Sequence, residues 1–401
     1  MSATTITRVR SVLLSAPYGD PISSAENRLH LPRGLRTCGL VEITLSDGTV
    51  GLGEGYLAVF APRVFESIVA LLEPLLLGRD ARDITARFHD IVTATGYWSV
   101  QGAARHVISA VEIALQDCNA RLAGLPLYAF LGAPERRALE VYASGGDSVD
   151  PAAMKRELDS VAQLGITTFK IRGRAHQADK VTWTQRAGKG AGIKVAVDMT
   201  QNLVAPSHTP EEVLRFLSDV SEGSGDAPVF LEEVLGPDRI TELPALRALS
   251  SVPIAGGEIV TTEVELIERI RIGSYDLAQP DATVIGGIQP VLDVFAAARQ
   301  AKDVSVYVHC WGGGVGVLAN YHASLAGGGT TVEWPLPSYP LRAALLEGAL
   351  EIDGGLATVS AAPGLGIVLS ADIEREFPFR EDAVYDCLVD PVRIPAAADW
   401  R

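Results

Sequence analysis

The chain has 401 residues, 47% of them hydrophobic and 21% charged, with a formal net charge of −15. That length exceeds one typical domain, and the composition is that of a globular protein with large buried cores. An acidic surface repels phosphate backbones and anionic lipids, so neither nucleic acid nor a membrane surface is an expected partner. No apolar run approaches the roughly 18 residues of a membrane span, and Met1 to Pro17 does not read as a signal peptide. Cys38, Cys118, Cys310 and Cys387 are widely separated, which disfavours a disulfide framework or a zinc site. The expected class is a cytoplasmic protein acting on small molecules.

In chain order, Thr5 to Ala16 and Gly39 to Tyr56 read as strands, with Ser46-Asp47-Gly48-Thr49 as a hairpin turn. Between them, Pro17 to Thr37 carries Arg28, Arg33 and Arg36 and reads as a long loop. From Ala61 the pattern is helical, best in Ala103 to Leu122, where Val107, Val111, Leu115 and Cys118 recur at helical spacing and Gly124 and Pro126 end the run. Residues 1–130 thus form an α+β domain. Short β-rich runs then alternate with helical stretches: Glu140–Ala143, Thr168–Ile171, Lys194–Asp198, Val229–Glu232, Pro253–Ala255, Tyr275–Ala278, Val304–His309 and Thr330–Glu333. Eight βα-type repeats imply a parallel sheet and suit a closed barrel over 131–345, with a doubly wound open sheet as the alternative. Residues 346–401 are too few for a domain and are expected to pack back on the first one.

Nearly every one of these strands ends on a polar or ionisable residue: Lys170 with Arg172, then Asp198, Glu232, Glu258, Asp281, His309 and Glu333. Each successive gap suits one βα unit, so the side chains should gather on the face where such barrels hold their active sites. A single acid after a strand is usually a helix cap. Asp198, Glu232 and Glu258 on consecutive strands, after apolar runs, are better explained by a shared cation, and an all-oxygen donor set favours Mg²⁺ first and Mn²⁺ second. Glu233 should face the other way and serve a structural role. One unit after Asp281, His309 can be a base whose tautomer that carboxylate fixes. Lys170 and Arg172 share a side of their strand and would hold negative charge; lysine can shift its pKa to act as a base, and arginine effectively cannot. The other histidines read as loop (His30, His176, His208) or as helix surface or packing (His89, His106, His322). Gly51-Leu52-Gly53-Glu54-Gly55 lacks the spacing of a dinucleotide fingerprint, and Gly312-Gly313-Gly314 is explained by a flexible loop.

The order Lys-x-Arg, Asp, Glu-Glu, Gly-Glu, Gln-Pro-Asp, His and Glu resembles the enolase superfamily, specifically its mandelate racemase subgroup. The resemblance covers almost the whole chain, from Gly51-Leu52-Gly53-Glu54 through Ile254-Ala255-Gly256-Gly257-Glu258 and Gln279-Pro280-Asp281 to Pro363-Gly364-Leu365-Gly366. His309-Cys310-Trp311-Gly312 looks most like acid-sugar dehydratases and galactarolactone cycloisomerases. The resemblance implies a (β/α)₇β barrel capped by an α+β domain to which the C-terminal segment returns. It implies Mg²⁺ on Asp198, Glu232 and Glu258, abstraction of the proton α to a carboxylate to give an enediolate, His309 with Asp281 as base or acid, and Glu333 hydrogen-bonded to a carboxylate oxygen. Tyr18, Arg28, Arg33, Arg36 and Tyr56 would close over the barrel mouth, with Thr200 and Trp311 also touching substrate; arginines there hint at a diacid sugar.

Three departures qualify this. The family's second lysine, the base facing the histidine, is Arg172 here, which disfavours racemisation; Lys170 is the remaining candidate, at a position that in the family more often binds charge. The usual Asn after the first metal ligand is Thr200, and the usual proline after Glu233 is Val234. The expectation is a Mg²⁺-dependent, homo-oligomeric acid-sugar dehydratase of carbohydrate-acid catabolism, acting on a polyhydroxy carboxylate or lactone. The alternatives are a sugar-lactone cycloisomerase, then a racemase or epimerase, or a non-catalytic sugar-acid-binding barrel.

Overall fold

The structure is a computed structural model and describes residues 4–133, 138–201, 206–387 and 398–400. Strands β1 (Ile6–Pro17), β2 (Leu35–Leu45) and β3 (Val50–Glu54) form an antiparallel sheet. The stretch between β1 and β2 is not all loop. It holds α1 (Ala25–His30), whose N-cap Ser24 accepts from the Asn27 amide, a helix of six residues with too little periodicity to read in sequence. Helices α2 (Pro62–Leu76), α3 (Ile84–Ser99), α4 (Ala103–Leu122) and α5 (Leu127–Phe130) follow. Most of α4 is buried, because it lies between the cap sheet and the barrel. The glycines of the β3 segment exist for that contact: a Cβ on Gly53 would stand 1.8 Å from the Ala110 carbonyl oxygen of α4.

Eight parallel strands make the second layer: β4 (Leu139–Gly145), β5 (Thr168–Arg172), β6 (Lys194–Asp198), β7 (Leu231–Glu232), β8 (Ile254–Gly256), β9 (Leu277–Ala278), β10 (Ser305–Val306) and β11 (Thr331–Pro335). Pairing of β11 with β4, and a bridge between Val308 and Val332, close the ring, so the open-sheet alternative is set aside. Helices α6 (Pro151–Gln163), α7 (Ala178–Lys189), α8 (Pro210–Ser224), α9 (Leu243–Leu249), α10 (Glu263–Arg271), α11 (Ile288–Ala301) and α12 (Gly314–Gly327) connect successive strands, which is a (β/α)₇β barrel. Tyr142, Ala196, Phe230, Ala255 and Leu277 fill its interior, so the barrel is packed rather than a pore.

After α13 (Pro340–Leu346), a hairpin of β12 (Leu350–Asp353) and β13 (Leu356–Val359) attaches to β4. Only then does the chain return to the cap: α14 (Ala371–Glu376) places Glu374 on Arg10, and Pro378 bridges Leu14 of β1. Part of the 346–401 segment, residues 388–397, lies outside the described residues.

Candidate active site

A cavity of about 650 Å³ opens at the C-terminal ends of the barrel strands, beneath the cap. Its floor carries Lys170, Arg172, Asp198, Glu258, His309 and Glu333. Glu232 and Asp281 lie just behind that surface, fully buried, each bound to a lining residue. The regular gaps between strand-end residues thus convert into one ring of charge, because parallel strands present their ends to the same face.

His309 Nδ1 stands 2.8 Å from Asp281 Oδ2, and its Nε2 lies 3.4 Å from Glu258 Oε2. Asp281 is itself held: its Oδ1 accepts from the Thr283 amide (2.8 Å), the Thr283 hydroxyl (2.7 Å) and Asn320 Nδ2 (2.9 Å). Burial raises the Asp281 pKa, but the bonds from His309 and Asn320 outweigh it and keep the group ionised. Burial also disfavours the imidazolium of His309, yet Glu258, Glu333 and Asp281 together push its pKa up to about 10. A cation bound by Glu258 would offset that carboxylate and leave the imidazole less firmly protonated.

Lys170 is wedged between Glu232 and Glu333, 2.7 Å from the latter. Burial works against its charge, but these two carboxylates hold it protonated well above the ordinary lysine range. Glu333 is ionised for the same reason, and its other oxygen accepts from the Cys310 amide at 2.7 Å. Arg172 pairs with Glu26 of α1 (3.0 Å) and Asp147 (3.6 Å) and lies over the Trp311 ring at 5.1 Å. Neither cation is a free base.

Asp198, Glu232 and Glu258 end consecutive strands or the loops just beyond them. Burial and mutual repulsion raise the pKa of Asp198, to about 6, and that of Glu232, which rises despite Lys170. Among the described residues no three His, Cys, Asp or Glu side chains stand close enough to form a ready-made metal cage. The reason is visible: Glu232 is drawn to Lys170 and Gln279, and Glu258 leans to His309. Three buried acids short of positive charge are still an oxygen donor set suited to a hard dication. Glu233, with φ of 44°, turns its carboxylate away to accept from the Gly257 amide at 2.7 Å. Thr200 (φ 49°) donates its amide to Asp198 Oδ1 at 2.7 Å, while its buried hydroxyl has no partner among the described residues.

The roof comes from three distant segments: Glu26 and His30 of α1, Tyr56 and Phe60 after β3, and Tyr385 with Cys387 near the end of the described chain. His30 stacks on Tyr385 with ring centroids 4.7 Å apart, and Phe60 meets Tyr385 edge-on at 4.9 Å. Of the residues expected to touch substrate, Tyr56, Thr200 and Trp311 line the cavity, whereas Tyr18, Arg28, Arg33 and Arg36 do not. Arg33 is exposed, and Arg36 is buried behind the wall, donating to the Trp311 carbonyl at 2.6 Å with its guanidinium over Tyr18. The sequence reading missed Glu26, Asp147, His106, Tyr385 and Glu54. Glu54 accepts from the amides of Gly313 (2.5 Å) and Gly316 (2.7 Å), tying the cap to the loop that carries His309. A Glu after the glycines of β3 was the available signal for it; Glu26 lies 146 residues from its partner Arg172, and Asp147, although only 25 residues from Arg172, belongs to no spacing pattern that marks it.

Known protein families match both halves of the chain. Residues 32–132 match the family described as mandelate racemase / muconate lactonizing enzyme, N-terminal domain, and residues 153–373 match the enolase C-terminal domain-like family. The chain belongs to the enolase superfamily, in its mandelate racemase subgroup, and is an enzyme. It is 28% identical to arabinonate dehydratase of Saccharolobus solfataricus, over 84% of this chain and 89% of that one. It is 27% identical to D-galactarolactone cycloisomerase of Agrobacterium fabrum, over 93% and 98%. The fold also matches a crystal structure of L-talarate/galactarate dehydratase from Salmonella typhimurium LT2 liganded with Mg and L-lyxarohydroxamate, with a TM-score of 0.78 and 25% identity over 94% of each chain.

Proposed function

We propose that this enzyme is an acid-sugar dehydratase that requires Mg²⁺, with Mn²⁺ as the second choice. The observation that carries the reading is the pairing of one oriented imidazole, His309 on Asp281, with two cations, Lys170 and Arg172, that carboxylates hold charged. β5 and β10 lie three strands apart around the ring, so a racemase would need a second base on the Lys170 side. A dehydratase needs only one. Asp198, Glu232 and Glu258 would hold the metal, which would supply Lewis-acid charge for the substrate carboxylate.

His309 Nε2 removes the proton α to the carboxylate, leaving an enediolate. The same nitrogen returns that proton to the departing β-hydroxyl as the C–O bond breaks. Water leaves, and the enol tautomerises to a 2-keto-3-deoxy acid. Asp281 fixes the tautomer and stabilises the imidazolium between the two transfers. Lys170 places positive charge beside the developing oxyanion, and the aromatic roof excludes water. The likeness to a galactarolactone cycloisomerase over 93% of the chain favours one second reading, in which the same proton abstraction expels a ring oxygen instead of a hydroxyl.

Proton NMR in D₂O with Mg²⁺ and pooled aldonic acids, aldaric acids and their lactones separates these. Keto-acid signals that fall by roughly 10²–10⁴-fold in His309→Asn support dehydration. An isomeric lactone product supports cycloisomerisation, and deuterium exchange at the α-carbon with epimer formation alone overturns both.

A further inference from the structure

His106 sits in the first turn of α4 and lines, from the cap side, the same cavity as Tyr56, Phe60 and Val284. It is largely buried, and its Nδ1 is shielded from solvent and has no hydrogen-bond partner among the described residues. A histidine kept for packing looks different in this molecule. On α12, His322 Nδ1 accepts from the Tyr128 amide at 2.9 Å, and its ring also bonds the backbone at Leu365. A buried imidazole has one donor and one acceptor to satisfy, and leaving them unmet is costly. The cavity lining includes the apolar side chains Val59, Phe60, Ile259 and Val284, so a hydrocarbon side chain at position 106 would serve if packing were the only task.

We infer that His106 is a substrate-binding residue: its imidazole hydrogen-bonds one hydroxyl of the polyhydroxy chain on the cap side of the cavity, and so helps select which sugar acid is held. This rests on the sugar-acid reading above. A half-turn about χ2 exchanges Nδ1 with Cδ2, so the nitrogen edge can meet a ligand. Burial depresses the His106 pKa to about 4, so the ring is neutral at physiological pH. A neutral imidazole suits a hydroxyl, which both donates and accepts, better than a second carboxylate. The site would thus discriminate by a hydroxyl position rather than by charge.

The test uses the full-length protein with Mg²⁺ in a His309→Asn background, which halts turnover. Calorimetry compares sugar acids from the pool with their deoxy analogues, each lacking one hydroxyl, with His106 intact, as His106→Phe and as His106→Asn. The expected result is that His106→Phe weakens the bound sugar acid about 3- to 10-fold. One deoxy analogue binds both proteins equally, so the difference between it and the parent disappears, and His106→Asn recovers part of the loss. Mg²⁺ affinity and the melting temperature stay unchanged. If His106→Phe weakens every analogue alike, or none, the inference is overturned while the sugar-acid reading stands. If the protein with His106 intact binds no polyhydroxy acid, both are overturned.

Discussion

The guanidinium of Arg172 lies on the cavity floor beside Lys170, and its surroundings decide what a substitution there can do. Glu26 and Asp147 face it at 3.0 and 3.6 Å. A lysine at this position would meet the same two carboxylates and stay protonated. Arg172→Lys is therefore expected to lower kcat/KM on the order of tenfold, by losing the planar contact with Trp311 and one charged hydrogen bond, without gaining epimerase activity. Deuterium content and configuration of recovered substrate check this; an inverted, deuterated α-carbon would show that the lysine had become a base. The Lys-x-Arg spacing announced two cations on one side of the strand, and both side chains line the cavity. It did not announce their partners, because Glu26 is 146 residues away and reaches Arg172 only through the fold. The same distance blindness explains Arg28 and Arg33: an arginine-rich loop near a predicted mouth was legible, but which side chains turn inward was not.

Among elements, α12 is the one on which the catalytic loop depends, since its N-terminus follows His309 and Trp311 directly. Glu54, at the end of β3, satisfies two of its amides and places negative charge at the positive end of the helix. Glu54→Ala would leave both donors buried and unpaired, which should cost about 2–4 kcal/mol in urea unfolding. It should also lower kcat/KM, because the Gly312–Gly314 turn loses its anchor. A variant of undiminished stability would refute this capping role. The strands themselves were legible because their β-rich runs recur at βα spacing; their ends were less so, since β5, β6 and β7 end on Arg172, Asp198 and Glu232, whereas Glu258, Asp281 and His309 lie two or three residues beyond β8, β9 and β10. The small helix α1 was not legible, as six residues carry almost no period.

For the whole molecule, the buried neutral His322 links stability to pH. Burial depresses its pKa from 6.5 to about 3, so the unfolded chain binds a proton that the folded one refuses. Its contribution is complete above pH 6.5 and is lost as pH falls towards 3. At pH 5 the loss should be about 2 kcal/mol. His322→Asn, which retains an acceptor for the Tyr128 amide, should flatten that part of the profile when urea midpoints are compared between pH 7 and pH 5. An unchanged slope would exclude His322 as the source. The overall plan, a capped barrel with its reactive groups at one end, was the most legible feature, because it follows from repetition; the return of the tail to the cavity was the least, because no pattern within the tail encodes its destination. The roof made by His30, Phe60 and Tyr385 has a consequence in time. A chain folding as it is synthesised completes the ring of strands well before Tyr385 emerges, so the acids and His309 first assemble in an open bowl. The vessel that keeps water out comes into being only when the latest-made segment meets one of the earliest.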